Sequence, residues 1–133
     1  MDMVFTVDSG DCDHFGFIRY RRYLDWIHET RVASMAEMGA GDDLLTSKGI
    51  DMVTVNLHLR NLEACRAGDR IEVVPCLDKV MSHALYFTFT GRNADTRTVI
   101  FIAQTEMYPI SREGNLVRLP PEIVDTLTTR IGS

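Results

Sequence analysis

Residues 11 to 14 place two carboxylic acids, a thiol and an imidazole directly before a helical pattern, in the stretch GDCDHFGFIRYRRYLDW. The first backbone N–H groups of a helix have no acceptor within the helix, and they lie at the positive end of its dipole. Such groups can polarise an acyl carbonyl while a carboxylate attacks the carbon or activates water. Asp13 and the backbone N–H of Tyr20 are therefore candidates for acyl hydrolysis. The alternative is that Asp11 or Asp13 only caps a turn.

Two side chains of the helix allow more than one interpretation. Arg31 falls on the apolar face, where a guanidinium is costly to bury unless it is paired. It extends its guanidinium to solvent, bridges to a structural carboxylate, or orients the preceding loop through Asp11 or Asp13. Tyr20 begins the helix on the face that we expect to be buried, where its ring serves as core filler or accompanies the oxyanion donor.

Other groups near this loop are alternatives. His14 and His28 are potential acid–base groups, and Cys12 is a potential nucleophile that lacks a histidine–asparagine partner pattern. The arginines at 19, 21 and 22 form either a solvated helix start or a site for phosphate groups. The sequence contains no metal-ligand spacing, so we expect no metal.

One long helix must position these residues. Apolar residues recur at a helical period from about Tyr20 to Met38, and Tyr23, Ile27 and Met35 share one face. The glycines of GAGDD, at 39 to 43, are expected to stop the helix.

Five strands are predicted around this helix. A short alternating stretch covers residues 3 to 7, and Val53, Val55, Leu57 and Leu59 give a half-buried strand. RIEVVPCLDKV, HALYFTFTG and TVIFIAQTEMYPI follow, and Pro75 indicates a bulge or an edge. LPPEIVDTLTTRI predicts a short final helix. Short connections favour antiparallel pairing, so the fold class is α+β, with one sheet face left uncovered and available for self-association.

Composition narrows the function further. A chain of 133 residues with 45% hydrophobic and 25% charged residues is typical of a single globular domain, here 1–133. Its net charge of −5 argues against nucleic-acid binding. Three cysteines without CxxC spacing indicate reduced thiols in the cytoplasm. The sequence shows no secretory signal and no apolar run long enough to span a membrane.

The stretch SGDCDHFGFIRYRRYLDWIHETRVASMAEMG resembles the hotdog-fold acyl-CoA thioesterases, in particular the 4-hydroxybenzoyl-CoA thioesterase-like group. The similar pattern is D-x-D-x-x-G-x-x-x-Y-x-x-Y-x-x-W followed by a helix arginine. GIDMVTVNLHLRNLEACRAGDRIEV and RLPPEI are also similar to segments of that family. The resemblance implies a long central helix wrapped by an antiparallel sheet of about five strands.

The resemblance also implies roles for individual residues. Asp13 would be the nucleophile or general base, Gly16 the loop glycine, and Tyr20 the donor of the N–H that polarises the carbonyl. Arg31 has the spacing of a helix arginine found in related enzymes. The expected assembly is a homodimer or homotetramer with active sites between subunits. No cofactor is expected beyond coenzyme A or carrier-protein phosphopantetheine as part of the substrate.

The substrate-binding candidates come from the strands. Where the group has a basic patch, this chain has DKVMSHAL, with Lys79, Ser82 and His83 as candidates, so the donor is either acyl-CoA or an acyl carrier protein. Strand alternation adds Val55 and Phe87 to the acyl pocket. The rival functions are a hotdog dehydratase or hydratase, through His14 and Glu29, and a non-catalytic acyl-thioester-binding module.

Overall fold

The computed structural model describes residues 2–133 and has the predicted α+β architecture. Its elements in chain order are β1 (Met3–Thr6), a 3-10 turn (Ser9–Asp11), α1 (Tyr20–Glu37), α2 (Asp42–Ser47), β2 (Ile50–Asn61), β3 (Arg70–Met81), β4 (Ala84–Asn93), β5 (Val99–Ser111) and α3 (Pro121–Thr128). The five strands form one antiparallel sheet in the order β1-β3-β4-β5-β2. β1 and β2 are therefore the edge strands of the chain.

The core lies between α1 and one face of this sheet. Trp26 stacks on Phe5 of β1 with ring centroids 5.3 Å apart, and Tyr23 contacts Phe101 of β5 at 4.4 Å. The Tyr23 hydroxyl donates to Asn61 Oδ1 at the end of β2, over 2.8 Å. These contacts attach the first turns of α1 to β1, β5 and the end of β2.

The buried face of α1 differs from the predicted face. Trp26 and Thr30 are fully buried, whereas the side chain of Tyr20 is 71% exposed and that of Leu24 is also exposed. The prediction that Tyr20 begins the helix on the buried face is therefore wrong. The first turn of α1 extends beyond the core, so the apolar face begins only at Tyr23.

A second helix was not predicted. α1 ends where predicted, because Gly39 takes a φ of +87° that favours glycine. The chain then extends at Gly41 and begins α2, with Asp42 and Asp43 in the first turn, where carboxylates are favourable. The two acids were the signal for this helix, and we interpreted them as part of a stop.

The alternation predicted for β2 is interrupted by a β-bulge. Pairing with β5 shifts between Thr54 and Asn56, so Val55 has no direct partner and is 48% exposed. Leu57 and Leu59 lie opposite inward-facing residues of β5, as predicted, but Val53 pairs with Tyr108 on the outer face. In β3, Pro75 lies beyond the residues paired with β1, consistent with an edge, and the register shift falls between Leu77 and Lys79.

Candidate active site

Asp13 is held in a tight loop between the 3-10 turn and α1. Its Oδ1 accepts hydrogen bonds from the backbone N–H groups of Phe15 and Phe17, at 2.9 and 3.1 Å. Its own N–H donates to the Phe17 carbonyl over 2.8 Å, and its carbonyl accepts from Gly16 over 3.1 Å. Within residues 2–133, Oδ2 of Asp13 has no hydrogen-bond partner. One carboxylate oxygen thus organises the loop, while the other can act on a substrate.

Gly16 makes this loop possible. Its φ is +87°, a conformation that strains a residue with a Cβ, and a Cβ here would lie 3.5 Å from the Cys65 carbonyl oxygen. The Gly16 carbonyl accepts from the Cys65 N–H over 2.9 Å. The loop is therefore fixed to the segment between β2 and β3.

Tyr20 is the first residue of α1, after an extended N-cap residue, Arg19. The N–H of Arg22 donates to the Arg19 carbonyl over 2.9 Å. No acceptor for the N–H of Tyr20 occurs in the described part of the chain. The backbone at this position thus has the character of an oxyanion donor, and that role remains a prediction.

Arg31 does not contact the loop. Its side chain is only 8% exposed, and its Nη1 lies 3.3 Å from Oδ1 of Asp42 in α2. Its Nη2 lies 3.4 Å from Nδ1 of His28. The prediction that Arg31 orients the loop through Asp11 or Asp13 is therefore wrong within this chain, and the structural-carboxylate alternative is the one observed. The Asp11 carboxylate instead accepts a hydrogen bond from the Asp8 N–H through Oδ2, and its Oδ1 lies 3.4 Å from Nε of Arg22.

A cleft of about 160 Å³ lies between α1 and the sheet. Both α1 and the sheet contribute polar and apolar residues to its lining. The apolar residues are Leu24, Ile27, Leu57, Phe89 and Met107, and the polar residues are His28, Arg31, Thr54 and Thr105. Leu24 lies one helical turn after Tyr20, so the cleft extends along α1 from near the candidate oxyanion donor.

Neither strand residue predicted for the acyl pocket lines this cleft. The bulge at Val55 brings Thr54 and Leu57 to the inner face instead, opposite Met107 and Thr105. Phe87 is 1% exposed and stacks on Phe89. It borders a different groove, which lies along the outer face of β2, β4 and β5. Strand parity alone could not place these residues, because the sequence does not mark the bulge.

The DKVMSHAL segment lies at the β3–β4 hairpin. Lys79 borders the outer-face groove, with Nζ 5.6 Å from the centroid of the Tyr86 ring. The Ser82 hydroxyl accepts from Nη1 of Arg118 over 2.9 Å, and His83 is exposed in the turn. The loop around Asp13 is hydrogen-bonded to Cys65, shortly before β3 begins, whereas these three residues lie where β3 ends. They are therefore not close to Asp13 within one chain.

A family profile matches residues 7–127 and describes the thioesterase-like superfamily. The chain belongs to this superfamily. Its membership confirms the prediction of a thioester hydrolase, and the architecture described above is the hotdog fold. No curated protein matches the sequence.

Solved structures with this fold align over nearly the whole chain. A hypothetical protein from Thermus thermophilus is 19% identical with a TM-score of 0.85, covering 97% of this chain and 98% of that one. The DHNA-CoA thioesterase from Staphylococcus aureus is 14% identical with a TM-score of 0.86, covering 96% and 88%. The 1,4-dihydroxy-2-naphthoyl-CoA thioesterase from Synechocystis is 19% identical with a TM-score of 0.79, covering 98% and 93%.

The other candidates near the loop have properties that differ from those of an activated group. Burial raises the pKa of the Cys12 thiol, and the Asp11 and Asp13 carboxylates raise it further, which opposes thiolate formation. His14 is exposed beside the Phe15 ring, and Glu29 is exposed on α1. Residues 2–133 contain no cluster of three potential metal ligands. No helix among them is long and apolar enough to cross a membrane.

Proposed function

We propose that this thioesterase-like protein hydrolyses an acyl-CoA thioester to a free acid and coenzyme A. The observation that carries the proposal is the arrangement at the start of α1. The Asp13 carboxylate has one oxygen without a partner in the described chain, and the nearby helix begins with an N–H that also lacks an acceptor. These are the two groups that thioester hydrolysis requires.

The mechanism uses these two groups in turn. The backbone N–H of Tyr20 binds the thioester carbonyl oxygen and stabilises the negative charge that develops on it. If Asp13 attacks the carbonyl carbon through Oδ2, the C–S bond breaks, the thiolate leaves, and water then hydrolyses the acyl–Asp13 anhydride to the free acid, restoring the carboxylate and supplying the proton that the thiolate takes up. If Asp13 instead removes a proton from an attacking water molecule, the tetrahedral intermediate expels the thiolate, and Asp13 returns that proton to it. The two hydrogen bonds to Oδ1 keep the carboxylate in place throughout.

The acyl group would extend from Tyr20 along α1 into the cleft that begins at Leu24. We expect a homodimer or homotetramer in which a neighbouring subunit completes this site. β2 supports this expectation because it is an edge strand of 12 residues with exposed apolar side chains, including Val55 and Leu57. The exposed ring of Tyr20 would then be covered in the assembly.

Coenzyme A is favoured over an acyl carrier protein as the donor. The Staphylococcus and Synechocystis structures carry names of CoA thioesterases. In this chain, Arg19 and Arg21 border a depression beside the start of α1 that is lined by three arginines and three aspartates, and the guanidinium groups of Arg19 and Arg21 can meet phosphate groups there. The carrier protein remains the alternative donor, to be tested if no acyl-CoA is hydrolysed.

The test is release of free thiol from a panel of acyl-CoAs by wild type and Asp13→Asn. We expect Asp13→Asn to lose at least ~100-fold in rate, since this is the usual contribution of a general base. Asp51→Asn is the matched control, because Asp51 is an exposed residue of β2 away from the loop. Equal rates for wild type and Asp13→Asn would exclude Asp13 as the acid–base or nucleophilic group.

The two rival functions predict different products. Hydration of an enoyl thioester without thiol release would indicate the dehydratase or hydratase. Binding of acyl thioesters without turnover would indicate the binding module.

A further inference from the structure

One buried hydroxyl borders the cleft without a partner. Thr105 is 5% exposed, and its Oγ1 has no hydrogen-bond partner in residues 2–133. Within the same residues, one buried polar atom in each of Arg22, Trp26 and Thr30 also lacks a hydrogen-bond partner, but these three residues do not line the cleft. Thr105 lines the cleft and also borders the outer-face groove. In this rotamer Oγ1 has almost no accessible surface, so a ligand in the cleft would reach the hydroxyl after rotation about χ1, which exchanges the Oγ1 and Cγ2 positions. Because a buried polar group without a partner is unfavourable, a ligand oxygen that supplies the missing hydrogen bond would favour this rotation.

The surrounding polar residues extend this feature. Arg31 also lines the cleft. Its Nη1 contacts Asp42 and its Nη2 contacts His28, and these two contacts leave some of the five N–H donors of the guanidinium available to a ligand. The Asp42 carboxylate largely compensates the positive charge of Arg31. The cleft therefore presents hydrogen-bond donors without a strong net positive charge. Such an environment favours a neutral oxygen over a carboxylate.

These groups are separated from the reaction centre by an apolar stretch. Tyr20 and Arg31 are eleven positions apart, which is roughly 16 Å along the helix axis. Leu24, Ile27 and Phe89 line the cleft as well, so the part of the substrate next to the carbonyl meets apolar side chains. An oxygen on the acyl group would meet Thr105 and Arg31 only beyond this part.

We infer that the cleft selects acyl groups carrying a neutral hydroxyl or keto oxygen several bonds from the thioester carbonyl, and that Thr105 determines this specificity. The inference rests on the proposed function, because it identifies the substrate class of the same site. Thr105 acts by donating or accepting a hydrogen bond, and Arg31 donates to the same oxygen or to a neighbouring one.

The test compares matched thioesters. We would measure kcat/KM for dodecanoyl-CoA, for hydroxy and keto derivatives substituted towards the methyl end, and for the CoA monothioester of the corresponding dicarboxylic acid. We expect the hydroxy or keto substrate to be favoured roughly tenfold over dodecanoyl-CoA, the equivalent of ~1.4 kcal/mol for one hydrogen bond. A preference for dodecanoyl-CoA or for the dicarboxylate would overturn the inference.

Substitutions assign the preference to one hydroxyl. Thr105→Val should bring the ratio between oxygenated and plain substrates close to one, while Thr105→Ser, which keeps the hydroxyl, should retain it. The control for replacing a strand threonine is Thr90→Val, because Thr90 lies on β4 and faces the side of the sheet opposite to that of Thr105. An unchanged ratio in Thr105→Val would refute the role of Thr105. If Thr105→Val does not fold, Thr105→Ser decides, because loss of the ratio in a variant that keeps the hydroxyl would refute the role of Thr105.

Binding of the free acids separates this inference from the proposed function. If no thioester is hydrolysed, thermal unfolding with dodecanoic acid and its hydroxy derivative still tests the cleft. A larger stabilisation by the hydroxy acid in wild type, absent in Thr105→Val, would support the inference while the hydrolytic function fails. Equal stabilisation by both acids, or stabilisation by neither, would overturn it.

Discussion

Replacing Asp13 with alanine removes an acceptor from two backbone N–H groups at once. Phe15 and Phe17 both donate to Oδ1, and neither bond is available to an alanine side chain. A hydrogen bond of this kind contributes about 0.5–1.5 kcal/mol net, so we expect Asp13→Ala to lower the free energy of unfolding by about 2 kcal/mol. For a chain of this size, this loss corresponds to roughly 8 °C in Tm. In Asp13→Asn, the amide oxygen can accept both bonds, and we expect a loss of about 0.5 kcal/mol.

Urea unfolding of wild type and both variants, followed by circular dichroism, measures this difference. The expected order of midpoints is wild type, then Asp13→Asn slightly lower, then Asp13→Ala clearly lower. Equal midpoints for the two variants would show that Oδ1 does not organise the loop. Combined with the activity assay, this order distinguishes loss of the loop from loss of the reacting group, since Asp13→Asn should lose at least ~100-fold in rate but be nearly as stable as wild type.

Two further predictions concern stability. Gly91→Ala should lower the free energy of unfolding by about 1–3 kcal/mol, because the new Cβ would overlap the Phe101 ring. Phe101→Leu removes this overlap, so urea titrations of the double variant should show that part of the loss is recovered. The pKa of the Cys65 thiol is raised from 9.0 to about 12, chiefly by burial. Between pH 9 and 12 the folded protein therefore keeps a proton that the unfolded chain loses, and the free energy of unfolding should fall as the pH rises through this interval. Cys65→Ala should show a smaller fall in urea midpoint over that interval, and an identical fall would refute the assignment.

Local patterns in the sequence predicted the elements well. The helical period gave α1 to within one residue at its end, and all five strands appear in the predicted order. The motif around Asp13 and Gly16 identified the loop because its features are local, namely an acceptor side chain and a glycine at a fixed spacing. Such features depend on neighbours within a few residues, which the sequence displays directly.

The positions that failed depend on contacts between distant segments. Arg31 was identified as a buried cation that needs a partner, but its partner is Asp42, on a helix that we did not predict. The exposure of Tyr20 depends on how far α1 extends past the sheet. Neither property follows from residue type, since both are set by where other elements end.

The bulge at Val55 shows how one residue changes the candidate site. Without it, an unbroken alternation would give positions 54 and 57 opposite faces of the sheet. With it, Thr54 pairs with Met107 and Leu57 with Thr105, so both side chains reach the inner face. Thr54 and Leu57 therefore both line the cleft, where Leu57 lies beside Thr105. The contribution of β2 to the cleft depends on a single inserted position in an edge strand.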